Sequence, residues 1–153
     1  MEKIPDEIAR FLHSQHFTVV STIGADGLPH TSCKGIVNIE DDGTVYLLDL
    51  YKGQTHDNLE KNPAISVSVV DEHRFRGYCL KGTAKLITED LLEPHIIKAW
   101  EDKITARITH RLIKNLKGEH GHDSHPEARL PKPKYLIAMK VKEIVDLTPP
   151  PLR

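Results

Sequence analysis

Val45-Tyr46-Leu47-Leu48-Asp49-Leu50-Tyr51-Lys52-Gly53-Gln54-Thr55-His56-Asp57-Asn58-Leu59-Glu60-Lys61-Asn62-Pro63-Ala64-Ile65-Ser66-Val67 is the stretch on which the fold turns. Together with the preceding Thr44, its first part through Leu50 reads as a strand. Lys52-Gly53-Gln54 leaves that strand, and Thr55 is placed to cap a short helix from His56 to Lys61. Pro63 stops the helix, because the residue before a proline is pushed out of the α region. Ile65, Val67 and Val69 then alternate with Ala64, Ser66 and Ser68, giving a strand with one oily and one small-residue face.

Outward from this stretch the pattern is mainly strands. Toward the N-terminus, Phe17 to Ile23 and Pro29 to Ile39 read as strands joined by the turn Gly24-Ala25-Asp26-Gly27, and Asp41-Asp42-Gly43 joins the second of them to Thr44. Before them, Ile4, Ile8, Phe11 and Leu12 form one helical stripe, with Pro5, Asp6 and Glu7 suited to a first turn. Toward the C-terminus, Gly77 to Ile87 alternates, with Tyr78, Leu80, Ala84 and Leu86 opposed to Lys81, Thr83 and Lys85. From Thr88 or Pro94 the period becomes helical, with Trp100, Ile104, Ile108, Leu112 and Leu116 as the apolar stripe and Gly118 as the C-cap. Residues 119–134 show no periodicity and read as a loop, and Tyr135, Ile137, Met139 and Val141 form a last strand. Six strands joined mostly by short turns predict an antiparallel barrel decorated by helices, in a single domain spanning 1–153.

The composition excludes several classes. With 153 residues, 21 basic and 22 acidic side chains and a net charge of −1, the chain lacks the basic surface that nucleic-acid binding by counterion release requires. No apolar run approaches the ~18 residues of a membrane span, and the polar start MEKIPDEIAR does not suit a signal peptide, so a cytoplasmic protein is expected. Cys33 and Cys79 stand far apart in no metal-ligand spacing, each within a strand, where a thiol fills space as a small apolar group. No metal is expected. His120, His122 and His125 fall in the 119–134 segment, which reads as a solvated loop or as a source of metal or haem ligands.

The strand-to-helix junction carries the chemistry. The first N–H groups of a helix lack intrahelical acceptors and carry partial positive charge, so the terminus after Gly53 suits an anion such as a phosphate. Lys52, the Gln54 amide and the Thr55 hydroxyl can add donors, and Lys34 on the neighbouring strand can add charge. The plainer alternative is that Thr55 caps its own helix. Asp49 and His56 are the groups able to act as acid or base nearby.

The element order, the turn before Leu28-Pro29-His30, the Asp-Gly turn and Asn58-Leu59-Glu60-Lys61-Asn62-Pro63-Ala64-Ile65-Ser66-Val67 together resemble the FMN-binding split-barrel family, also described as pyridoxamine 5′-phosphate oxidase-like. Leu80-Lys81-Gly82-Thr83-Ala84-Lys85-Leu86 is similar to its next strand. The resemblance implies a six-stranded antiparallel split β-barrel that pairs as a homodimer, with FMN in the groove between subunits. By position it implies that Ser32, Cys33 and Lys34 line the flavin, that Asp49 and Leu50 lie beside the ribityl chain, and that Gly53, Gln54 and Thr55 stand where the family binds phosphate. The family usually has basic residues at the last two places. Here they are neutral, which removes charge-assisted hydrogen bonds worth about 1.5–3 kcal/mol each; Lys34, Lys52 or Arg76 can replace them. The expected function is an FMN-dependent oxidoreductase acting on a small molecule or redox partner. The alternative is a non-catalytic flavin- or haem-binding module that carries, stores or senses. The family's true pyridoxamine-phosphate oxidases carry a C-terminal extension with Arg and Trp contacts that does not follow the last strand here, so vitamin B6 oxidation is not expected.

Overall fold

The computed structural model describes residues 3–118 and 133–153. The elements run α1 (Asp6–Ser14), β1 (Thr18–Ile23), β2 (Pro29–Ile39), β3 (Thr44–Leu48), α2 (Gln54–Lys61), β4 (Ala64–Asp71), β5 (Arg76–Thr88), α3 (Pro94–Leu116) and β6 (Tyr135–Asp146). The strands close into an antiparallel barrel in the order β1-β2-β3-β6-β5-β4, with β1 pairing β4 to seal it. Closure removes every long edge, which suits strands this rich in Val and Ile.

The alternation read from the sequence sorts residues to the two faces. Val20, Ile36, Val45, Leu47, Val67, Leu80, Ile137 and Val141 fill the barrel, and Ile4 and Leu12, flanking or within α1, belong to the same cluster. Gly82 sits where the β5–β6 register shifts, and a Cβ there would lie 1.9 Å from the Lys140 carbonyl oxygen. That strand crossing therefore tolerates only glycine.

A second apolar cluster lies outside the barrel. Ile96, Trp100 and Ile104 of α3 pack on Val37, Leu48 and Leu136 of β2, β3 and β6. Only the first half of the stripe read along α3 is covered, however. Trp100 and Ile104 are buried, whereas Ile108, Leu112 and Leu116 are exposed. The reason is length. A helix of 23 residues extends about 35 Å, roughly twice the ~17 Å of the five-residue β3 beneath it. The C-terminal half of α3 overhangs the sheet, and a cleft opens below it.

The boundaries differ from the sequence reading in one place that matters. The helix after β3 starts at Gln54, with Gly53 at the N-cap, and Thr55 makes no capping bond. Its hydroxyl meets Ser32 Oγ at 2.9 Å instead, tying α2 to β2. Among the described residues, no helix is long and apolar enough to cross a membrane.

Candidate functional site

The cleft under α3 encloses about 730 Å³, within the range of small-molecule and cofactor sites. One wall is β2 and the end of β3: Cys33, Lys34, Gly35, Leu48, Asp49, Leu50 and Tyr51. The other wall is α3, which contributes Lys103, Ala106, Arg107, His110, Arg111 and Lys114, while His16 and Phe17 close one side. The helical period explains the grouping, since positions 103, 107, 111 and 110, 114 are four apart and share a face. Gly35 lets the two walls approach: a Cβ there would lie 3.1 Å from Arg107 Nη1. Arg107 Nη2 also donates to the His16 carbonyl at 2.8 Å, which fixes the guanidinium over the strand.

Among the described residues, five Lys and Arg side chains and one carboxylate, Asp49, line the cleft. Lys103, Arg107, Arg111 and Lys114 are each already engaged within the chain, so an anion would share or exchange those partners. Exposed Phe17 and Tyr51 and partly buried Leu50 supply apolar surface beside the charge. The cleft is therefore suited to a planar aromatic ligand that carries negative charge.

Asp49 anchors the inner end. It is buried, accepts a hydrogen bond from Tyr135 Oη at 2.5 Å, and pairs with the Lys34 ammonium through its other oxygen. Burial first, then the bond to Asp49 and its charge, push the Tyr135 phenol above the usual tyrosine range. The Tyr135 ring in turn meets His56 edge-on, centroids 5.1 Å apart. Lys34, Asp49, Tyr135 and His56 thus form one chain of contacts from the cleft wall to α2.

Of the residues singled out from the sequence, Cys33, Lys34, Asp49 and Leu50 come together on the cleft wall. Ser32 and Thr55 satisfy each other, and the Gln54 amide donates to Asn58 Oδ1 at 2.7 Å. Lys52, Gly53 and Gln54 are exposed at the start of α2. Arg76 lies elsewhere, bonded to Glu7 of α1 at 3.1 Å and to Tyr78 Oη at 3.2 Å. His120, His122 and His125 lie outside the described residues. The sequence reading missed the cationic face of α3 and Tyr135. The four-residue spacing of Lys103, Arg107 and Arg111 was the available signal.

A family model described as pyridoxamine 5′-phosphate oxidase matches residues 4–147. The chain belongs to that family. Solved structures share the fold throughout its length. HupZ from Group A Streptococcus, in an affinity-tagged form, is 23% identical with a TM-score of 0.66 and 95% of each chain covered. A Clostridium acetobutylicum protein of the pyridoxinephosphate oxidase family, related to a general stress protein, is 17% identical, TM-score 0.57, covering 96% of this chain and 95% of its own. An F420 reductase is 16% identical with a TM-score of 0.56, covering 93% of this chain and 98% of its own. A search of curated proteins found no match. At these identities the structural likeness speaks to the family's split-barrel fold.

Proposed function

We propose that this member of the family is an FMN-binding flavoprotein and acts as an oxidoreductase on a small molecule. The observation that carries the reading is the cleft itself: about 730 Å³, five cationic side chains, and aromatic and aliphatic surface against the β2–β3 wall. Family membership and the F420 reductase neighbour support a redox role.

The residues fit the group. Gln54 and Thr55 are neutral and bonded within the chain, so they offer little to a phosphate. The α3 cations Lys103, Arg107 and Arg111 would supply the missing charge from the other wall, exchanging their partners within the chain. Leu48, Leu50, Tyr51 and Phe17 would pack on the ring system, and Cys33 would border it. FMN, when bound, supplies hydride acceptance and donation. The chain's part is to bind, to orient, and to hold Asp49 immobile through Lys34 and Tyr135.

The proposal includes a homodimer with the cofactor site at the subunit interface. Exposed Leu112, Ile113 and Leu116 beside the cleft support it, since a second subunit would cover them. A second reading keeps the same cleft as a non-catalytic flavin or haem module; the imidazoles of His16 and His110 on its walls favour the haem form.

The test is the visible spectrum of protein purified without added cofactor, followed by turnover assays with NADH and NADPH. Flavin absorbance with reductant consumption supports the oxidoreductase. Flavin without turnover favours the carrier or sensor, and a Soret band favours haem. Absence of FMN binding at micromolar protein refutes the proposal.

A further inference from the structure

A different feature lies on α2, behind Tyr135. The His56 side chain is 9% exposed, and its Nδ1 is closed to solvent with no hydrogen-bond partner among the described residues. A buried polar nitrogen normally finds a partner. Here Nδ1 faces two carboxylates, Asp57 Oδ1 at 3.5 Å and Glu60 Oε2 at 3.8 Å. Both distances are too long for a good hydrogen bond and too short for a bridging water, which needs roughly 4.5 Å between the atoms it joins.

A metal ion fits that gap. Ligand atoms about 2.0–2.2 Å from a tetrahedral zinc lie roughly 3.3–3.6 Å from one another. The three candidate ligand atoms all lie within 4.8 Å of one another. Helical spacing produces the group, because position 60 lies four residues after 56 and three after 57, one turn from each. The Asp57 and Glu60 side chains are more than half exposed, so they can swing to admit an ion from solvent.

We propose that His56, Asp57 and Glu60 form a divalent-cation site of the zinc class, binding through Nδ1 and one oxygen of each carboxylate. One imidazole with two carboxylates leaves a coordination position open to water or a ligand, as in catalytic rather than structural zinc sites. The site also adjoins the cleft, since the His56 ring packs on Tyr135, whose hydroxyl holds Asp49. An ion there would lock the His56 ring against Tyr135. The site does not depend on what the cleft binds.

Equilibrium dialysis of chelator-treated, full-length protein against zinc chloride tests it, with wild type, Glu60→Gln, His56→Ala and a variant with His120, His122 and His125 all replaced by Ala. One zinc per chain is expected, retained in the triple-histidine variant and lost in His56→Ala. Glu60→Gln, at an exposed position, should weaken binding about tenfold or more while leaving the metal-free melting temperature unchanged. Binding of cobalt with the visible spectrum of a tetrahedral site, absent in Glu60→Gln, is the second expected readout. Zinc binding that vanishes in the triple-histidine variant, an unchanged affinity in Glu60→Gln, or no zinc bound by wild type would each overturn the proposal.

Discussion

Replacing Lys34 by Met tests whether Asp49 is held as a buried charge, and adding Asp49→Asn gives the decisive sign. The Asp49 side chain is 1% exposed and that of Lys34 11%, so the pair is largely removed from water. Removing one partner of such a pair costs about 3–5 kcal/mol, because the other charge is left buried without compensation. In Lys34→Met the Tyr135 hydroxyl is, among the described residues, the remaining hydrogen-bond donor to the carboxylate. For a domain of this length each kcal/mol moves the melting temperature by about 2–4 °C, so the single variant should lose roughly 6–20 °C. Asparagine keeps an acceptor for Tyr135 but carries no charge. Adding Asp49→Asn to Lys34→Met should therefore recover about 1–3 kcal/mol rather than subtract more. Urea unfolding followed by the fluorescence of the single, buried Trp100 measures this directly. Two losses that simply add, within about 0.5 kcal/mol, would refute the coupling.

Three further outcomes are expected. The Tyr135 phenol is raised in the folded chain, so its contribution is fully present below the unfolded value near 10 and is lost as pH climbs above that; Tyr135→Phe should flatten the alkaline fall in melting temperature, and an unchanged fall contradicts this. Asp42 is lowered to about 2, chiefly by hydrogen bonds from Lys140 and Thr44, so its contribution is present above 3.8 and lost as pH drops toward 2. Because both side chains are about half exposed, Asp42→Asn should remove no more than about 1 kcal/mol of that acid dependence, read from melting temperatures between pH 2 and 5. Installing Gln54→Arg at the exposed start of α2 should tighten FMN binding about tenfold or more, by fluorescence quenching, if the α2 terminus also borders the phosphate; an unchanged affinity would assign the phosphate to α3 alone.

Much of the barrel was legible because strand burial has period two. Ile65, Val67 and Val69 announced β4, and the turns at Gly27 and Gly43, both at positive φ, announced the hairpins. The helix α3 was legible as a helix but not as a cleft wall. Its apolar stripe is visible along the chain, whereas the point where β3 ends beneath it is a property of the assembled barrel. Tyr135 and Asp49 are 86 positions apart and meet only when β6 pairs with β3. Thr55 looked like a cap because local chemistry favours it there; the nearby Ser32 hydroxyl on β2 is what draws it away. His56 was visible as a titratable group, but its unsatisfied Nδ1 follows from packing against Tyr135 and is not written in its neighbours.

The most direct measurement is a paired titration of the full-length protein with FMN and with riboflavin, at low and high salt. FMN should bind about tenfold or more tightly than riboflavin at low salt, and the difference should shrink with added salt and in Arg107→Ala. Equal affinities for the two flavins, or no binding of either, would contradict a phosphate held by the cations of the cleft.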